Sequence, residues 1–182
     1  ENMKINSKRI LFEDMYPETE LPLYDPVYYD LEPAHYKLYR KLAEEELLKL
    51  PDGGKIDGTT ANKLMHALGQ IICNWSHFSG VPLHIATAVE MIEQKLSELG
   101  EGKLLVFAHY KMTVAFLKQH LKKYKVVTAN SEVSNAQKDK NVQTFIHDPR
   151  CRVMVAQVIS AGKGLDGMQG AANHIFFAEP CQ

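Results

Sequence analysis

Residues 153 to 166 read Val-Met-Val-Ala-Gln-Val-Ile-Ser-Ala-Gly-Lys-Gly-Leu-Asp, and residues 175 to 178 read Ile-Phe-Phe-Ala. The first stretch is an apolar run that leads into a glycine-rich turn, and the second is another apolar run. Short continuous apolar runs are typical of strands buried on both faces of a sheet. In open α/β sheets, ligands bind where such strands end, and glycine lets the backbone approach a phosphate or ribose closely. The turn therefore predicts the ligand-binding edge of a parallel sheet.

The rest of the chain supports an α/β fold. Residues 103–108 and 126–129 are further apolar runs that predict strands. Apolar residues at helical spacing predict helices over about residues 33–50, 60–75, 83–99, 111–123 and 135–147. Strands that alternate with helices of this length indicate a parallel sheet with right-handed crossovers. We therefore expect an N-terminal linker and helical region at residues 1–80 and an α/β lobe at residues 81–182.

Composition narrows the class of protein. With 182 residues, of which 45% are hydrophobic and 24% charged, the chain is typical of a globular protein with one large domain or a domain with an appendage. No apolar run approaches the length of a membrane span, and no targeting signal is recognisable, so we expect a cytoplasmic location. We also expect a monomer. The three cysteines form no Cys-x-x-Cys pair and the eight histidines lack metal-site spacing, which predicts no metal site. A net charge of −1 means that any nucleic-acid site must be local.

The pair Gly162-Lys163 resembles the centre of a Walker A phosphate loop but does not fit that motif. A Walker A loop requires a glycine five positions before the glycine of this pair and a Ser or Thr after the lysine. Position 157 is Gln and position 164 is Gly. The turn is therefore not a phosphate loop of the Walker A type.

Five segments, taken in order along the chain, resemble motifs of the second RecA-like domain of superfamily 2 helicases, specifically of the SWI/SNF-like ATPases. Asp30–Tyr39 resembles the entry helix of that domain, and Leu68–Asn74 resembles its Leu-Arg-x-Ile-Cys-Asn helix. Lys103–Tyr110 resembles helicase motif IV, and Gln157–Asp166 resembles motif V. Ser131–Phe145, between them, is similar to the family's Gly-Ser-x…Glu-Arg…Phe stretch. The resemblance implies a RecA-like parallel sheet flanked by helices.

The resemblance also implies a nucleotide site in the turn. In the family, the motif V acid lies near the ATP ribose and the glycines allow close backbone approach, so the implied nucleotide-binding residues are Gly162, Gly164 and Asp166. The alternative is a turn in which Asp166 accepts hydrogen bonds from nearby amides. ATP and Mg²⁺ are the implied cofactors of an intact parent chain, and we expect this chain alone to bind neither.

The resemblance also implies a nucleic-acid site next to the nucleotide site. Side-chain amides, hydroxyls, cations and main-chain N–H groups contact phosphates without regard to sequence. The candidate residues, which belong to motifs IV and V or lie between them, are His109, Tyr110, Lys111, Lys138, Gln157 and Ser160. Three positions differ from the family pattern: Ser131 replaces a usual Gly, Lys138 a usual Arg, and Gln157 a usual Ser or Thr.

These motifs together predict the C-terminal motor lobe of an SWI/SNF-like, ATP-dependent DNA translocase or helicase. Its expected partners are DNA, with RNA as the alternative, and the N-terminal RecA-like lobe of the same chain. The sequence contains no phosphate loop and stops at Gln182, before an arginine-bearing motif VI, so we expect no catalytic residue here and no ATP hydrolysis by this chain alone. Two rival interpretations remain: a non-catalytic nucleic-acid-binding or protein-interaction domain, and a small-molecule α/β enzyme that uses the turn.

Overall fold

The computed structural model describes residues 23, 26, 28, 30–49, 55–73, 87–161 and 167–179. The chain divides into two compact units, Glu1–Asp30 and Leu31–Gln182, and the elements described below all belong to the second. The predicted boundary at residue 80 lies outside the described residues and stays a prediction.

The second unit contains helices and strands in alternation. In chain order they are α1 (Pro33–Glu45), β1 (Leu47–Lys49), β2 (Lys55–Asp57), α2 (Ala61–Cys73), α3 (Thr87–Glu98), β3 (Leu104–Ala108), α4 (Lys111–His120), β4 (Val127–Ala129), α5 (Asn135–His147), β5 (Val153–Gln157), the short α6 (Val158–Ala161) and β6 (His174–Phe177). Single 3₁₀ turns follow α4 and precede β6.

Four of the strands form one parallel sheet in the order β4-β5-β3-β6. Residues of β3 and β5 alternate between the two faces, so that Val106 and Val155 pack against α3 and α4. Leu105 and Met154 pack on the other face, against α5. Both faces are therefore covered, as the continuous apolar runs predict, and the α/β fold with a parallel sheet flanked by helices is confirmed.

The first part of the unit has its own small core. Strands β1 and β2 form an antiparallel hairpin between α1 and α2, and Leu42, Leu48 and Ile71 are buried together there. The prediction that the first helix continues to residue 50 is wrong. Glu46 adopts a left-handed conformation with φ of 55°, which ends α1 and directs the next residues into the hairpin. Leucines at positions 47 and 48 are good helix formers and continue the apolar spacing, so neither propensity nor periodicity indicates the strand.

Candidate functional site

The carboxyl edge of the parallel sheet brings most of the predicted site residues together. Ala108 of β3 lies opposite Gln157 of β5, and Ala129 of β4 lies opposite Ala156. The residues that directly follow β3 and β4 therefore leave the sheet beside Gln157. Lys111 begins α4 only three residues beyond β3, and Ser160 lies three residues beyond β5. The predicted polar residues thus lie at one edge of the sheet, and their binding of a ligand stays a prediction.

Gln157 joins the loops that leave three neighbouring strands. The residue is only 7% exposed, and its side-chain amide nitrogen donates to the His109 carbonyl oxygen over 3.1 Å. Its amide oxygen accepts longer hydrogen bonds from the Ser131 main-chain N–H, at 3.4 Å, and from the Ser160 hydroxyl, at 3.5 Å. Gln157 therefore holds these loops together through hydrogen bonds inside the protein. A direct contact of its amide with a phosphate stays a prediction.

Glu179 holds the start of α4, and the sequence analysis did not single it out. Glu179 is 5% exposed, and its carboxylate accepts hydrogen bonds from the main-chain N–H groups of His109 and Tyr110, the latter at 3.1 Å, and from the Thr113 hydroxyl. A carboxylate suits this position because a helix N-terminus carries free N–H groups and partial positive charge. An acid directly after an apolar strand was the signal available in the sequence.

His109 and Lys111 are exposed at this edge, on either side of Tyr110. Tyr110 is half-buried, and its hydroxyl donates to the His66 carbonyl oxygen of α2 over 3.1 Å. Within the described part of the chain, Lys111 forms no ion pair. His109 and Lys111 are thus accessible to a ligand, whereas Tyr110 packs between two elements.

Lys138 lies in the first turn of α5, which begins at the same edge. Ser134 caps this helix by accepting a hydrogen bond from the Gln137 main-chain N–H at 3.3 Å, and Asn141 donates to the Thr128 carbonyl oxygen of β4 at 2.7 Å. Neither α4 nor α5 carries an acid in its first turn. Glu179 already occupies the N-terminus of α4, so the positive charge at this edge comes from Lys111, Lys138 and the N-terminus of α5, and these groups favour an anion.

Asn130 is a further polar residue of the edge, directly after β4. It is 5% exposed, and its side-chain oxygen has no hydrogen-bond partner among the described residues. Most buried polar groups in folded proteins form hydrogen bonds. The side-chain oxygen of Asn130 is thus an exception, and it lies at the carboxyl edge of the sheet. Its neighbour Ser131 takes part in the Gln157 cluster.

The predicted nucleotide-binding residues Gly162, Gly164 and Asp166 lie outside the described residues, so their contacts stay predictions. Across the described ranges, no group of three or more His, Cys, Asp or Glu side chains is placed to hold a metal ion. Within the same ranges, none of the helices has both the length and the apolar character needed to cross a membrane.

Comparison with solved structures identifies the class of fold. The C-terminal domain of the Sulfolobus solfataricus SWI2/SNF2 ATPase is 21% identical with a TM-score of 0.61, over 84% of this chain and 69% of that one. The Sulfolobus solfataricus SWI2/SNF2 ATPase core in complex with dsDNA is 20% identical with a TM-score of 0.61, over 82% of this chain and 33% of that one. The C-terminal part of the Fun30 ATPase domain is 13% identical with a TM-score of 0.46, over 81% and 51%.

This chain has an α/β fold with a parallel sheet flanked by helices. More particularly, it has the fold of the C-terminal domain of an SWI2/SNF2 ATPase, which confirms the resemblance at the level of fold. The chain spans about a third of the length of the ATPase core that it matches. No protein-family model matches the chain, and a comparison with curated proteins finds no match.

Proposed function

We propose that this chain is the C-terminal motor lobe of an SWI/SNF-like, ATP-dependent DNA translocase or helicase, and that its carboxyl edge binds the nucleic-acid backbone. The observation that carries the proposal is the pair His109 and Lys111, which are exposed beside the start of α4. The fold supports it, because a solved relative with this fold is an ATPase core in complex with dsDNA.

The chemistry of the edge suits phosphate oxygens. A lysine ammonium, an imidazole N–H and a serine hydroxyl all donate to phosphate, and contacts of this kind carry no sequence information. Glu179 and Gln157 hold the loops that carry these donors, so the donors are arranged before the ligand binds. The expected binding is therefore independent of sequence and sensitive to salt.

In the intact parent chain, this lobe would close on an N-terminal RecA-like lobe, and closure would move His109 and Lys111 along one strand. ATP and Mg²⁺ belong to the proposal as cofactors of that parent, with Gly162, Gly164 and Asp166 as the nucleotide contacts of this lobe. The catalytic phosphate loop would come from the other lobe, so the 182-residue chain alone should show no DNA-stimulated ATP hydrolysis.

The binding half of the proposal is tested with two lysines of one helix. Lys111 begins α4, and Lys118 is exposed in its last turn, about 10 Å further along the helix axis at 1.5 Å per residue. Lys111→Ala should weaken binding of a labelled duplex several-fold and lower the slope of log affinity against log salt by about 1. Lys118→Ala should leave both unchanged. Equal effects of the two substitutions would exclude the carboxyl edge as the site.

The ATPase half is tested in the full-length parent. Asp166→Ala should lower ATP turnover even at saturating DNA, because it alters the predicted nucleotide contact. Gln157→Ala should chiefly reduce stimulation by DNA, because it releases the loops that present His109 and Ser160. Wild-type turnover and stimulation in both variants would show that the glycine-rich turn is only structural.

A further inference from the structure

Helix α2 meets the proposed nucleic-acid edge through Tyr110. The Tyr110 ring lies edge-on to the His66 ring, with 5.1 Å between the ring centroids. The Tyr110 hydroxyl donates a hydrogen bond to the His66 carbonyl oxygen. Gly69, one turn further along α2, leaves room for the phenol, because a Cβ at that position would lie 2.7 Å from the Tyr110 hydroxyl oxygen. The sequence thus places a glycine where Tyr110 rests on the helix.

This contact brings an additional histidine next to the predicted ligand residues. The ring centroids of His66 and His109 are 6.3 Å apart, and both side chains are exposed. His66 comes from the helical part of the chain and His109 from the sheet edge, so the two parts present their imidazoles side by side. His66 was not among the candidates taken from the sequence, since it lies 43 positions before His109.

Gln70 determines which nitrogen of His66 can serve a ligand. The Gln70 amide nitrogen lies 3.0 Å from His66 Nε2. An amide nitrogen only donates, so Nε2 accepts, and the proton of the neutral imidazole is then carried by Nδ1. Nδ1–H is therefore the donor that remains for a phosphate oxygen.

We infer that the nucleic-acid interface extends from the sheet edge onto α2, where His66 contacts a backbone phosphate and Gln70 sets its tautomer. This inference rests on the proposed function. Phosphates of one strand of a B-form duplex follow each other at about 3.4 Å of helix axis. Two imidazoles whose centroids are 6.3 Å apart can therefore contact nearby phosphates of the same strand. In this arrangement the helical part contributes a phosphate contact of its own.

The chain contains a matched control for His66. His147, at the end of α5, is also exposed, and its Nε2 lies 3.1 Å from the Gln143 side-chain oxygen, again four residues away on the same helix. The end of α5 lies at the opposite edge of the sheet, because Lys103, directly before β3, donates to the carbonyl oxygens of Ile146 and Asp148. Replacing either histidine removes the same chemical group from opposite sides of the molecule.

The test is the affinity of the 182-residue chain for a labelled DNA duplex at low salt. His66→Ala should weaken binding by about tenfold, the size expected for one hydrogen bond to a charged group. His66→Gln should recover part of that loss, because an amide also donates to phosphate, and His147→Ala should bind like wild type. All three variants keep the main-chain carbonyl that accepts the Tyr110 hydroxyl, so α2 stays in contact with Tyr110.

The outcomes separate this inference from the function on which it rests. If Lys111→Ala weakens binding but His66→Ala does not, the interface ends at the sheet edge and the inference is overturned. Equal losses for His66→Ala and His147→Ala would overturn it as well, because the effect would then be one of overall charge. If the wild-type chain binds no duplex, the proposed function fails together with the inference.

Discussion

The cationic side chains have different surroundings at the two edges of the parallel sheet. At the amino edge, Lys103 donates to the carbonyl oxygens of Phe145, Ile146 and Asp148, and Arg152 donates to those of Leu96 and Gly102. At the carboxyl edge, His109 and Lys111 are exposed. The polarity of the fold explains the contrast.

Helices of a parallel α/β sheet run opposite to the strands, so their C-termini gather at the amino edge and their N-termini at the carboxyl edge. A helix C-terminus carries partial negative charge and open carbonyl groups, which a cation stabilises. A helix N-terminus carries partial positive charge, and a cation there adds to a potential that favours an anion. Cations at the amino edge therefore stabilise helix ends, whereas His109 and Lys111 at the carboxyl edge are left exposed, as the proposed phosphate contact requires.

The largest expected effect concerns Lys103. Lys103→Met keeps much of the aliphatic stem but removes the ammonium from the end of α5, so we expect the free energy of unfolding to fall by roughly 1–3 kcal/mol, the usual cost of unpaired buried polar groups. Urea unfolding followed by circular dichroism measures this change. The DNA affinity of the folded variant should equal that of wild type, and a clear loss of affinity would contradict the division between the two edges.

Gly69→Ala should produce a smaller effect. We expect it to change the DNA affinity more than the free energy of unfolding. Alanine favours the interior of a helix over glycine by about 0.5–1 kcal/mol. The new Cβ would nevertheless lie 2.7 Å from the Tyr110 hydroxyl oxygen, so the phenol must move away from α2. We expect little change in the free energy of unfolding and a loss of DNA affinity of a few-fold, in the direction of His66→Ala.

A matched substitution makes this result interpretable. Gly170→Ala is a useful control, because a Cβ at that position meets no atom within 4 Å and Gly170 has no positive φ. Unchanged affinity in Gly69→Ala, with unfolding like that of Gly170→Ala, would show that the contact between Tyr110 and α2 does not position the interface.

The sequence predicts the sheet better than it predicts the contacts that shape the site. The strand at residues 153–157 is correct and the strand at 103–108 is correct within one residue, because a continuous apolar run is a local signal. The β1–β2 hairpin is not predicted, because the left-handed conformation of Glu46 has no clear signature in a charged, leucine-rich segment. Periodicity therefore predicts which residues form the core but does not predict such a turn.

The site depends on partners that are distant in the sequence. Glu179 is 69 residues from Tyr110, and His66 is 44 residues from it. Neither pairing follows from local periodicity, since each requires the order of strands in the sheet and the position of α2. His109, Lys111 and Gln157 could be proposed in advance because they directly follow or end strands, where the ligand edge of an α/β sheet is expected.

The smallest expected effect is a pH dependence that arises at neither edge. His35 of α1 is buried, and its Nε2 lies 2.7 Å from the Ile71 carbonyl oxygen of α2. Burial lowers the pKa of His35, although the hydrogen bond to Ile71 and the charge of Glu32 act in the opposite direction. A lowered pKa means that the unfolded chain takes up the proton more readily than the folded one.

The contribution of His35 to stability should therefore be fully present above about pH 6.5, the ordinary pKa of histidine, and should decline as the pH falls towards the lower pKa of the folded state. The measurement compares the free energies of unfolding of wild type and His35→Gln at pH 8 and pH 5.5. Glutamine can still donate to Ile71 but does not titrate, so wild type should lose more stability on acidification than the variant. An equal loss in both proteins would show that His35 is not the source of the acid sensitivity.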